Sequence, residues 1–189
     1  MKRLFVIFIL VAISAASFGS ENLRVERPVP ASQWDDETKL WLARSCVGEA
    51  GFVAYEECIG IAWVYASRWR AAPSGATLKA VIRGYSAAVK RRSTLRRKWI
   101  LNLQLDGTRP KGWPKRLRWD GHRPFWEKIL YELDQWSKGY RENPVKGANH
   151  FGGKMDTPSK SWVRIKPSSS VAFGNIFYRS PKVVIAIND

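Results

Sequence analysis

The chain has 189 residues, 45% of them hydrophobic and 25% charged, which suits one compact domain and leaves no room for two independent cores. Its ten Trp and its formal net charge of +16 are not ordinary. Such a charge predicts attraction to polyanions, whether nucleic acid, an anionic membrane surface or an anionic cell-wall polymer, without choosing among them.

Lys2 and Arg3 precede the apolar run Leu4 to Ile13, which is followed by the small residues from Ser14 to Ser20. This order reads as a secretory signal peptide over 1–19, cleaved after Ala16 or Gly19. The apolar run is too short to span a bilayer, which takes about 20 residues of helix, so no transmembrane span is expected after cleavage. No cysteine stands directly after the run, and a lipid-anchored form is not indicated. Removing the signal takes away Lys2 and Arg3 and leaves a net +14. The expected location is outside the cytoplasm, in the periplasm, the cell envelope or the medium, which argues against nucleic acid as the usual partner.

Residues 20–33, with Pro28 and Pro30, read as an extended mature N-terminus, and 34–189 as the domain proper. Ser32, then Asp35, Asp36 and Glu37, make a helix start, acidic where the helix dipole favours it. Leu40, Ala43 and Val47 recur at helical spacing, widened by Trp41, Leu42 and Cys46, and the pattern stops between Gly48 and Gly51. Glu49 therefore sits at a helix C-terminus, where unpaired carbonyls repel a carboxylate. A local rule broken without visible compensation points to a functional site, although a solvated side chain in a frayed last turn would look the same.

After Phe52-Val53-Ala54 a second helical pattern runs from Tyr55 to about Trp69, with so little polar surface that it reads as a central, nearly all-round buried helix. Cys46 and Cys58 flank the glutamate; in an exported chain they can form a bridge stapling the two helices, or serve as two small buried apolar side chains. Pro73-Ser74-Gly75 marks a turn, and Thr77 can cap a third helix with Leu78, Val81 and Ile82, ending near Gly84.

Between Lys79 and Lys128 stand 15 Lys or Arg against three acids, so this segment carries +12 of the mature +14. A solvated face is the commonest use of such a run, but Trp99, Trp113, Trp119, Phe125 and Trp126 are interleaved with it, as an anionic ligand would favour. The stretch 106–123 is loop-like in its Gly and Pro content. Pro124 opens a further helix with Trp126, Ile129, Leu130, Leu133 and Trp136 on its buried face and Gly139 as its stop. Short strands are expected at 148–151, 162–165, 174–178 and 183–187. The predicted architecture is mainly α (α+β), a helical domain with a small irregular β-containing C-terminal part.

The two histidines, His122 and His150, stand in no metal-ligand spacing, so neither a metal nor another cofactor is expected. A cysteine nucleophile with His150 as base would leave Cys58 unexplained and Glu49 idle. One glutamate that an apolar helix end holds protonated is the simplest equipment for cleaving a glycosidic bond, whose leaving oxygen must receive a proton.

Leu42-Ala43-Arg44, then Gly48-Glu49-Ala50-Gly51 and a hydrophobic helix ending near Arg68, resembles the opening motif of the SleB-type cell-wall hydrolases, the spore-cortex-lytic enzymes. Gly147-Ala148-Asn149-His150-Phe151, then Trp162, then Gly174-Asn175-Ile176-Phe177-Tyr178-Arg179 is similar to that family's closing pattern. The resemblance implies a lysozyme-like single domain acting on the glycan strand of peptidoglycan, with Glu49 catalytic and Tyr85, His150, Phe151, Trp162 and Tyr178 as substrate-binding or supporting residues. The chain departs from the pattern at Ser67-Arg68, where the family has an Asn-Arg pair, and in its longer, more basic middle.

A glycoside hydrolase needs a second carboxylate about 5 Å or ~6.5–9.5 Å from the first. Glu56, Glu57, Asp106, Asp120 and Asp156 are the candidates, and none has a motif of its own. A lytic transglycosylase needs one carboxyl group, because the muramyl 6-hydroxyl attacks and closes a 1,6-anhydro ring. The expectation is therefore an exported lytic transglycosylase on peptidoglycan, its basic segment held against anionic wall polymer or membrane. A muramidase-type hydrolase and a non-catalytic basic envelope-binding protein are the alternatives.

Overall fold

A computed structural model describes residues 27–52, 55–89, 98–152, 158–168 and 172–181. The expected signal segment 1–19, the basic run at 90–97, Asp156 and the expected strand at 183–187 lie outside the described residues. Four helices, α1 (Asp36–Ala50), α2 (Tyr55–Arg70), α3 (Leu78–Tyr85) and α4 (Arg123–Ser137), are followed by three short strands, β1 (His150–Gly152), β2 (Val163–Ile165) and β3 (Ile176–Arg179). Single 3-10 turns occupy Ala31–Gln33, Lys98–Asn102 and Trp119–Gly121. The fold is mainly helical with a small antiparallel sheet in its C-terminal part.

Each helix boundary has a local cause. The Asp35 side chain, rather than Ser32, caps α1 by accepting the Thr38 N–H at 2.7 Å, and Asp36 and Glu37 occupy the first turn. Gly51 ends the helix at φ 76°, a conformation that favours glycine. Thr77 caps α3 by accepting from Ala80 N–H at 3.1 Å. Pro124 sits in the first turn of α4, where its missing N–H costs nothing.

The core gathers around α2, which packs against α1, α3, α4 and β1. Its Ile61, Ala62, Val64, Tyr65 and Ala66 are fully enclosed, with Leu42 and Val47 from α1, Val81 and Ile82 from α3, and Trp126, Leu133 and Trp136 from α4. Each buried aliphatic side chain contributes about 1.5–3 kcal/mol. The sheet order is β1-β3-β2, with His150 opposite Tyr178, Phe151 opposite Phe177 and Arg164 opposite Tyr178. Phe177 on the central strand reaches the core and touches Gly60, where a β-carbon would come within 3.1 Å of its ring.

The expected extended N-terminus is built into this core from Arg27 onward. Val29 is buried, the Pro28 carbonyl accepts from Arg70 at 2.9 Å, and the Gln33 side chain accepts the Leu78 N–H at 2.9 Å. A single apolar residue between two prolines gives no periodic signal, so this docking is invisible in sequence. Among the described residues no helix is long and apolar enough to cross a membrane.

Cys46 and Cys58 are joined, with their Cα atoms 5.2 Å apart, and both are buried. The bridge ties the last turns of α1 to the first turn of α2 across a sequence separation of 12 residues. Closing a loop of this size restricts the unfolded chain, so replacing both cysteines by alanine should lower stability by about 3 kcal/mol in denaturant titrations. Because the bridge is buried, a reductant should act only as the native chain unfolds.

Candidate active site

Glu49 lies in the last turn of α1, partly buried. Its Oε1 accepts a hydrogen bond from the Ser86 hydroxyl at 2.8 Å and another from the Ala88 backbone N–H at 3.2 Å. Both donors come from the segment after α3, so the carboxylate bridges two elements. Oε2 accepts no hydrogen bond among the described residues, so the two donors hold Oε1 alone. Neither donor is marked by any sequence motif.

That segment can approach because residue 48 is glycine. A β-carbon there would overlap the Ala88 side chain and lie 3.5 Å from the Ile100 methyl. Behind the carboxylate, the buried Tyr65 hydroxyl meets Ser45 Oγ at 2.6 Å. Burial, and then the nearby Glu49 charge, push the Tyr65 hydroxyl far up, so it stays protonated.

Glu57, in the first turn of α2, is a carboxylate of another kind. Only 2% exposed, it accepts Gly174 N–H on Oε2 at 2.7 Å, and on Oε1 both Asn175 N–H at 2.7 Å and Asn175 Nδ2 at 2.6 Å. Asn175 Nδ2 also donates to the Glu49 backbone carbonyl at 3.2 Å. Glu57 thus secures the entry to β3 and links it to the helix end that carries Glu49. A buried acid eight residues after Glu49 is the only signal the sequence offers for this clamp.

The other acids are placed differently. Asp106 forms a local turn by accepting the Thr108 N–H at 2.9 Å, Asp120 is exposed, and Glu56 sits beside the Tyr55 hydroxyl, which it pushes up. Among the described residues no group of three or more His, Cys, Asp or Glu side chains could hold a metal ion.

His150, Tyr85, Phe151, Trp162 and Tyr178 are brought together, with Arg68 at their centre. The Arg68 guanidinium lies 3.7 Å over the Tyr85 ring, and its Nη1 donates to the Asn149 carbonyl at 3.1 Å and to His150 Nε2 at 3.0 Å. The Asn149 amide is oriented by Ser180, donating to its carbonyl and accepting its N–H, so Asn149 Oδ1 is the acceptor for His150 Nδ1 at 2.8 Å. His150 is therefore the neutral Nδ1–H tautomer with both nitrogens occupied.

The Tyr85 hydroxyl exchanges hydrogen bonds with the Phe151 backbone, and Phe151 packs edge-on against Tyr65 and Tyr85. Trp162 covers His150 with ring centroids 4.2 Å apart and leans on the buried Tyr178. These five residues form one aromatic wall, fastened to α2 by Arg68 and to α3 by Tyr85.

No protein-family model matches the chain, and neither a curated protein nor a solved structure matches it.

Two outcomes follow from these contacts. Glu57→Gln turns one acceptor into an amide that faces a donor, and should cost about 2–3 kcal/mol in urea unfolding. His150 is pushed down from 6.5 to about 4 by burial and by Arg68. The folded chain thus refuses a proton that the unfolded chain accepts. The stability this contributes is complete above pH 6.5 and is lost as pH falls towards 4, by up to about 1.4 kcal/mol per pH unit. Unfolding measured between pH 4 and 7 should show that slope in the parent chain and lack it in His150→Gln.

Proposed function

We propose that the chain is an exported peptidoglycan-cleaving enzyme of lysozyme-like architecture, related to the SleB-type cell-wall hydrolases, that cuts the glycan strand with Glu49 as its general acid and base. The observation that carries this reading is the Glu49 carboxylate itself, with Oε1 fixed by Ser86 and Ala88 and Oε2 accepting no hydrogen bond among the described residues. The aromatic wall around His150 and the motifs at both ends of the domain support it.

In this reading Glu49 Oε2 gives its proton to the glycosidic oxygen as the bond from that oxygen to the muramyl C1 breaks, and the sugar leaves with a free hydroxyl. The resulting carboxylate takes the proton of the muramyl C6 hydroxyl as that oxygen bonds to C1. A 1,6-anhydro ring closes, no water is consumed, and Glu49 returns to its starting form. Non-hydrolytic cleavage is favoured over hydrolysis because Glu57, the buried acid at the start of the next helix, has both oxygens committed to Gly174 and Asn175. Hydrolysis would need a carboxylate free to activate water.

Purified chain lacking the signal segment should release fragments from peptidoglycan, and Glu49→Gln should slow release by about 10³-fold. Mass spectrometry separates the outcomes. Anhydromuramyl ends support the transglycosylase and reducing ends a muramidase-type hydrolase. Equal cleavage by both variants removes Glu49 from the chemistry, and no cleavage by either leaves a basic envelope-binding protein on this scaffold.

A further inference from the structure

The stretch from Lys98 to Arg118 is a cationic lobe locked to the helix end that bears Glu49. Three independent contacts make the joint. Phe52, three residues after Glu49, stacks on Trp99 at 6.0 Å and meets Trp113 and Trp119 edge-on at 5.9 and 6.3 Å. Arg44 of α1 reaches across to the Leu103 carbonyl with Nε and Nη2 at 3.1 and 2.7 Å. Ile100 packs beside Gly48. Trp113 and Trp119 are 5% and 6% exposed, so the aromatic residues that the sequence interleaves with the charges are largely the inside of the lobe, and the charges are its outside.

Lys98, Arg109, Lys111, Lys115, Arg116 and Arg118 are all exposed, and none enters an ion pair among the described residues. Just outside the stretch, some cations are paired: Lys79 with Glu37, Arg123 with Glu127, and both Lys128 and Arg141 with Glu132. Between Lys98 and Arg118 the only acid is Asp106, and it is occupied with the Thr108 turn. Like charges concentrated in one short stretch repel each other, and a segment meant only for solubility needs neither that concentration nor a rigid joint to the Glu49 turn.

We propose that this lobe is a substrate subsite that grips the carboxylates of an acidic glycan strand while the same strand lies at Glu49, so that it selects anionic over neutral glycans. This inference rests on the reading of Glu49 as a glycan-cleaving acid and names the substrate class for it. The joint through Phe52, Arg44 and Ile100 ties the lobe to the helix end that bears the carboxylate, so that a strand held by its charges is held at the same site. Charge recognition of this kind strengthens binding of substrate and transition state alike, so it belongs in KM rather than in kcat.

The test uses the chain lacking the signal segment and a variant with three exposed substitutions, Lys115→Glu, Arg116→Glu and Arg118→Glu. Glycan oligomers with free carboxylates are compared with the same oligomers amidated to neutrality, between about 0.05 and 0.5 M salt. For the acidic oligomers, the parent chain should show a KM that climbs with salt, and the variant a KM raised about tenfold with kcat unchanged. Neither effect should appear with the neutral oligomers. Equal KM for acidic and amidated oligomers in the parent chain would overturn the proposal while leaving cleavage by Glu49 intact.

Binding is read separately by calorimetry with Glu49→Gln, which holds substrate without cutting it. Preference for acidic over amidated oligomers, lost in the lobe variant, supports the subsite even if the cleavage reading fails. Tighter binding of duplex DNA, a phosphodiester wall polymer or anionic lipid vesicles than of the acidic oligomers would overturn it in favour of that partner.

Discussion

A carboxylate taken out of water must be met by donors, and the way Glu57 is met organises the C-terminal half of the molecule. Two backbone N–H groups and one side-chain amide converge on it from Gly174 and Asn175. Hydrogen bonds to an ionised acceptor are about twice as strong as neutral ones, and the first turn of a helix adds its favourable dipole. The clamp sets where β3 begins. β3 in turn pairs with β1 and β2, so the positions of His150, Phe151 and Trp162 descend from it. The same Asn175 amide reaches the Glu49 carbonyl, and the sheet is thereby held to the end of α1.

The buried cations follow the same rule with other partners. Arg44 gives two N–H groups to one carbonyl, that of Leu103, and faces the Trp41 ring at 5.3 Å. Arg68 is met by a carbonyl, an imidazole nitrogen and the face of Tyr85. A weakly hydrated planar guanidinium tolerates such partners where an ammonium would not. Arg44 thus places the cationic lobe and Arg68 the aromatic wall. Burial of both cations lowers their proton affinity, yet guanidinium remains charged at any working pH.

Much of the helical frame was legible because helices advertise themselves locally. Periodicity marked α1 to α4, Thr77 and Pro124 marked two starts, and Gly51 and Gly139 marked two ends, both at positive φ. The sheet was legible only as short β-prone pieces, with edges displaced by one or two residues, since pairing depends on partners far along the chain. Within the candidate site, Glu49 was conspicuous because it broke a local rule. Ser86 and Ala88 were not, because nothing in their own neighbourhood says that they meet residue 49. Trp113 and Trp119 read as companions of the basic run, whereas they are its interior. Composition gives the content of a segment and is silent on which side of it faces water.

Glu49 and Glu57 are the same side chain at opposite ends of consecutive helices, and the contrast explains how their uses divide. At the start of α2, three donors hold both oxygens of the buried Glu57 and make it a structural acceptor. At the end of α1 the backbone offers carbonyls instead, and the donors to Oε1 come from the segment after α3. A carboxylate placed so would relax away from its position if the helix end could fray. The Cys46–Cys58 bridge, the Asn175 amide on the Glu49 carbonyl and the Phe52 stack each oppose that fraying from a different side. The glutamate with the less favourable site is therefore the one whose surroundings are most heavily braced, which is what the catalytic role proposed for it requires.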